Sequence, residues 1–117
     1  MQTGKIRLLR PITLRGTTLM SLLTRERIEA SDYDALVMDT QGSELLVLKG
    51  AAPILHTFNF IKTEVTDFES YAGSCQLRDI DLFVKEHGFH EISRHRLESR
   101  AKGRSCYDIA YERKAAT

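Results

Sequence analysis

Cysteines, long apolar runs, clustered glycines and any excess of one charge are all scarce in this 117-residue chain, and each scarcity narrows what it can do. Its two cysteines, Cys75 and Cys106, have no C-x-x-C spacing and read as reduced thiols of a cytosolic protein, not as a disulfide framework. The longest apolar runs are about four residues, far below the roughly 18 that cross a bilayer. The amino terminus carries Lys5, Arg7 and Arg10 with no signal-like apolar block, so a cytoplasmic location without membrane contact is expected. Seventeen basic residues stand against sixteen acidic ones, for a net charge of +1, too balanced to argue by itself for nucleic acid or membrane as a partner. The seven glycines, at 4, 16, 42, 50, 73, 88 and 103, nowhere form a G-x-G turn. Repeats and low-complexity segments are absent.

What is present concentrates between Tyr33 and Gly50, in YDALVMDTQGSELLVLKG. Ala35 to Met38 form an unbroken apolar run, the pattern of a strand covered on both faces in a parallel sheet. Asp39 ends it. Gln41, Gly42 and Ser43 make a tight turn, and Glu44 falls in the first turn of a helix, where exposed amides favour a negative charge. That helix should run from Ser43 to Lys49 and stop at Gly50.

Around this unit the chain reads as alternating strands and helices. Lys5 to Leu14 alternates as an extended segment, and Thr17 or Thr18 can cap a helix through Ile28. A short helical turn at Ala52–Leu55 uses Pro53 in its first turn. Asn59 to Thr66 is the next strand, followed by a polar loop over 67–74. Ser74 can cap a helix from Gln76 to His87, with Leu77, Ile80, Phe83 and Val84 on one face and Gly88 as its stop. Phe89–Leu97 and Cys106–Arg113 then read as an antiparallel hairpin. The expected class is α/β, part of a doubly wound sheet that ends in a hairpin, with residues 1–117 as one domain.

The string DTQGSELLVLKGA resembles the D-x-x-G-x-E-x-x-x-L-x-G-A signature of the FkbM family of S-adenosylmethionine-dependent methyltransferases. FIKTEV, ending its strand on Glu64, with Tyr71 shortly after, resembles the next part of that family, and LFVKEHGF resembles its helix ending in Gly-Phe. ITLRGTTLMSLL resembles a T-L-D-x-L segment, with Met20 where the family usually has aspartate. The resemblance runs from about Ile12 to Lys114. It implies a Rossmann-like methyltransferase sheet, S-adenosyl-L-methionine as methyl donor, and O-methylation of a sugar, polyketide or similar hydroxylated small molecule. It also places the chain on the carboxyl-terminal half of such a domain. Because the glycine-rich turn that holds the cofactor in such sheets is missing, the chain is expected not to bind the donor by itself.

Ligands of open parallel sheets sit beyond the carboxyl ends of the strands, and right-handed crossovers put the ends at Asp39 and Glu64 side by side. Two carboxylates there suit proton acceptance from a hydroxyl, so Asp39 and Glu64 are the candidate catalytic residues. Gln41, Gly42, Glu44 and Tyr71 are the candidate cofactor- or substrate-binding residues, although the helix terminus alone accounts for a carboxylate at Glu44. The rival for Asp39 is a helix cap, and for Glu64 an ion pair with Lys62 or an arginine. His87 and His90 straddle the helix stop, which breaks helical ligand geometry, so no metal is expected.

Two other functions compete. Arg94, Arg96, Arg100, Lys102 and Arg104, opposed only by Glu98, form a basic patch on the hairpin that could grip phosphate or nucleic acid. A catalytically inactive methyltransferase-like interaction module is the third reading. A homo-oligomer is expected because the strand ending at Asp39 would offer an open, apolar edge.

Overall fold

The computed structural model describes residues 16–40, 42–67, 76–97 and 105–114. Helix α1 (Leu19–Arg25) begins where Thr18 Oγ1 accepts the Ser21 N–H at 3.0 Å, a side-chain cap. It ends three residues before the expected Ile28. There the Ile28 N–H bonds Leu23 O at 2.9 Å and the Arg27 N–H bonds Thr24 O at 3.2 Å, the paired bonds of a Schellman cap. Arg27 occupies the left-handed position, at φ 56, that glycine usually fills, so no residue type marked this end.

A 3₁₀ turn (Ala30–Asp32) leads into β1 (Ala35–Met38), which stops at Asp39 as expected. Helix α2 (Glu44–Gly50) follows, then a 3₁₀ segment (Ala52–Thr57), β2 (Phe60–Thr66), α3 (Leu77–Glu86), β3 (Phe89–Leu97) and β4 (Cys106–Arg113). Gly50 is not the stop expected of it: it is the last helical residue, and Ala51 follows in a right-handed conformation. Its role is close approach. A Cβ at Gly50 would lie 3.0 Å from Thr18 Cγ2 and 3.1 Å from Thr18 Cβ, so only glycine lets the start of α1 rest there without displacement. Helix α3 is capped by a reciprocal pair between Gln76 and Asp79, and Gly88, at φ 87, does end it as expected. Ser74 and the segment Lys5 to Leu14 lie outside the described residues.

The four strands form one mixed sheet in the order β1-β2-β4-β3. β1 and β2 are parallel, and the expected hairpin of β3 and β4 is antiparallel, with β4 inserted against β2. Leu48, Leu55, Phe58, Ile80 and Val84 bury against Met38, Ile61, Val65, Ile109 and Tyr111 in a single core. Each such side chain contributes roughly 1.5–3 kcal/mol by leaving water. The Tyr111 hydroxyl inside that core donates to Asp81 Oδ1 at 3.3 Å.

The expectation that β1 is buried on both faces is corrected. Met38 is buried, but Val37 next to it is 67% exposed. All the core residues join the face of Met38, and among the described residues no helix covers the other face. β2 shows the same one-sidedness in its sequence, with Ile61, Thr63 and Val65 inward and Lys62 and Glu64 outward. An apolar run of four cannot distinguish one covered face from two.

Candidate active site

The register of the parallel pair builds the site. Met38 pairs with Thr63, and the next residue on each strand is Asp39 and Glu64. Both carboxylates line one cavity of about 250 Å³ on the open face of the sheet, together with Val37, Lys62, Leu97 and Asp108. Asp108 lies directly across from Glu64 on β4, and His95 directly across from Asp108 on β3. A row of polar residues therefore runs from Asp39, just past β1, across Glu64 and Asp108 to His95.

Among the described residues neither rival role of the two carboxylates holds. Lys62 Nζ sits 3.6 Å from Asp108 Oδ2, not on Glu64. Two of the loop amides within reach go to Glu44 instead: Thr40 N–H and Thr40 Oγ1–H each donate to Glu44 Oε2 at 2.8 Å, and Gly42 N–H donates to Glu44 Oε1 at 3.0 Å. Among the described residues no hydrogen bond or ion pair occupies the side chain of Asp39 or Glu64, and both residues are exposed. Two unencumbered carboxylates lining one cavity can accept a proton from a ligand and hold it by hydrogen bonds.

Glu44 is of a different kind. It is 2% exposed and does not line the cavity. Burial pushes its carboxyl up, but the Thr40 hydroxyl and the backbone N–H groups of Glu44, Thr40 and Gly42 outweigh this and hold it below its ordinary value of 4.5. Gly42, at φ 116, takes a backbone conformation that L side chains rarely adopt, and its N–H meets the carboxylate there. The candidate residues Gln41 and Tyr71 lie outside the described residues. Asp108 was missed in the sequence; its signal, one of two acidic residues alternating with Ile109 and Tyr111 in CYDIAYER, becomes meaningful only once β4 is known to pair with β2.

Elsewhere the chemistry is structural. Arg94 forks onto Glu91 at 3.1 and 2.6 Å and stacks over Tyr107, and Arg96 Nε–H donates to Ser105 Oγ at 3.0 Å. Both described members of the basic patch are thus engaged, while Arg100, Lys102 and Arg104 lie outside the described residues. His87 stacks on Phe83, and among the described residues no group of acidic, histidine or cysteine side chains could hold a metal ion. No helix among them is long and apolar enough to cross a membrane. Burial pushes the Cys106 thiol up, with Glu64 and Asp67 adding to it, which is unfavourable for a nucleophilic thiolate. A larger groove of about 560 Å³ between α1 and the 3₁₀ segments, lined by Met20, Leu23, Arg27, Ile28 and His56 among others, lies apart from the strand ends.

A family model described as a methyltransferase FkbM domain matches residues 5–91. No curated protein and no solved structure matches the chain. The match begins before Ile12 and ends inside β3, so it includes Asp39, Glu64 and the loop between β1 and α2 but not Asp108. Spanning more than half of the sequence, that match shows that the chain belongs to the FkbM methyltransferase domain family.

Proposed function

We propose that this methyltransferase domain serves S-adenosylmethionine-dependent O-methylation of a hydroxylated small molecule, a sugar, a polyketide or a similar compound, with Asp39 and Glu64 receiving the proton of the acceptor hydroxyl. The observation that carries this reading is the pair of unoccupied carboxylates, Asp39 and Glu64, that line one cavity just past the point where the only two parallel strands among the described residues stop pairing. An alcohol becomes a good nucleophile as it loses its proton, and a carboxylate within hydrogen-bond reach lowers the barrier by accepting it. Two such groups can orient one hydroxyl and accept from a second beside it. Placement then supplies much of the remaining acceleration.

The cavity of about 250 Å³ lies below the roughly 300–1,000 Å³ of most small-molecule pockets, so the described residues do not fit donor and acceptor together. We assign the cavity to the acceptor and give no described residue to the donor. S-adenosylmethionine, when bound, supplies an electrophilic methyl group; the chain's own share is to hold the hydroxyl and take its proton. Lys62 supports that share by engaging Asp108, which leaves Glu64 open to the ligand.

The test is methyl transfer from radiolabelled S-adenosylmethionine to a panel of hydroxylated small molecules, in an active preparation of the protein. Asp39→Asn should lower turnover by ~100- to 10,000-fold, the usual worth of a general base. Asp39 is exposed, so its stability should stay within about 0.5 kcal/mol of the parent. Near-normal turnover would sink the assignment.

A further inference from the structure

Asp39 is useful only if it is held in place, and the structure shows an unusual investment in holding it. A carboxylate in a helix's first turn needs no burial to be favoured by the exposed amides. Glu44 is nevertheless 2% exposed. Burying a charge is expensive unless hydrogen bonds satisfy it, and here both carboxylate oxygens are engaged, Oε2 by Thr40 N–H and Thr40 Oγ1–H, Oε1 by Gly42 N–H. These partners precede the helix. The carboxylate thus reaches backwards and ties the loop leaving β1.

The consequence falls on Asp39. A peptide unit is rigid and planar, so the Thr40 N–H shares a plane with the Asp39 carbonyl and the Asp39 Cα. Fixing that N–H at 2.8 Å from Glu44 fixes the plane on the far side of Asp39. On the near side, Met38 is fixed by its register with Thr63 of β2. Glu64 stands inside a strand paired on both sides, by β1 and by β4. The two carboxylates consequently project from backbone held at every junction, although Asp39 itself lies outside regular structure.

We propose that Glu44 is a positioning residue, whose buried carboxylate clamps Thr40 and Gly42 and thereby sets Asp39 beside Glu64. The inference rests on the reading of Asp39 as proton acceptor and deepens it. Gly42 serves the same clamp, because its φ of 116 is open to glycine and strained for L side chains.

The experiment is nuclear magnetic resonance on the full chain, comparing the parent with Glu44→Gln and Thr40→Val. Amide exchange at Thr40 and Gly42 reads the clamp, three-bond couplings at Asp39 read whether its side chain holds one rotamer, and amide exchange at Ile61 and Ile109 reads the core. Glutamine keeps the shape but exchanges one acceptor oxygen for a donor. In Glu44→Gln, exchange at Thr40 and Gly42 should accelerate about tenfold or more, and the Asp39 couplings should collapse to averaged values, while Ile61 and Ile109 stay protected. Thr40→Val, which removes one donor and leaves the charge, should show a smaller change of the same kind. Unchanged exchange at Thr40 and Gly42 would overturn the proposal, as would an equal loss of protection in the core, which would make Glu44 a residue of general stability. Failure of the Asp39 reading is separable: the clamp would respond as described, yet Asp39→Asn would leave methyl transfer intact.

Discussion

Replacing Gly50 with alanine tests whether that glycine ends a helix or admits a neighbour. Near the end of α2, alanine gains up to roughly 0.5–1 kcal/mol over glycine through reduced freedom of the unfolded chain. Against this, the new methyl would stand 3.0 Å from Thr18 Cγ2 and 3.1 Å from Thr18 Cβ. Thr18 cannot turn aside cheaply. Its hydroxyl accepts the Ser21 N–H at 3.0 Å and donates to Ser21 Oγ at 2.9 Å, so rotating it would give up the cap of α1, worth about 1 kcal/mol. Overpacking of this kind typically costs ~1–3 kcal/mol, and Gly50→Ala should therefore destabilise by about 0.5–1.5 kcal/mol. In a Thr18→Gly background both contacting atoms are gone and the nearest remaining atom, Thr18 Cα, is 3.6 Å away, an ordinary contact. Glycine is an acceptable N-cap, at a cost of only a few tenths. There Gly50→Ala should be neutral or stabilising, a coupling of about 1 kcal/mol or more between the two positions. Urea unfolding of the four proteins, followed by circular dichroism, measures it. Equal effects of Gly50→Ala in both backgrounds, within about 0.3 kcal/mol, would refute the close-approach account.

Three further outcomes follow from the same structure. Because the folded protein holds Glu44 below its ordinary value of 4.5, its contribution to stability is complete above that value and lost as pH falls through the lower folded value. Urea midpoints of the parent should drop across that acid window, and those of Glu44→Gln should drop less; parallel curves would refute the linkage. Arg27→Gly should stabilise by roughly 1 kcal/mol, because it removes an L residue from the left-handed position of the α1 cap, at φ 56; a loss of stability in thermal melts would show that the arginine side chain earns its place. Finally, among the described residues β1 pairs only with β2, and its outward Val37 is 67% exposed, so we expect self-association through that edge. Light scattering over a dilution series checks this, and a stable monomer at high concentration would mean the edge is covered within the chain.

Local signals were legible in the sequence wherever one residue's chemistry was enough. Asp39 ends an apolar run, Thr18 offers a cap, Gly88 allows a positive φ, and two strand-like segments joined by a short loop read as a hairpin, so these features stand where the sequence put them. The meeting of Asp39 and Glu64 was also readable, because short parallel strands joined by a helix have little choice of arrangement. Tertiary structure decided the rest, through partners distant along the chain or hidden by geometry. Gly50 is needed for Thr18, thirty-two residues earlier, and no local pattern separates that need from a helix stop. Asp108 reaches the site only because β4 inserts between β2 and β3. Covering one face of the sheet and not the other depends on where the helices dock, which an apolar run of four residues does not encode. Glu44 looked like a charge at a helix terminus, and only the fold showed its carboxylate buried and turned back on the loop, since a sequence records that a residue is acidic but not which way its side chain faces.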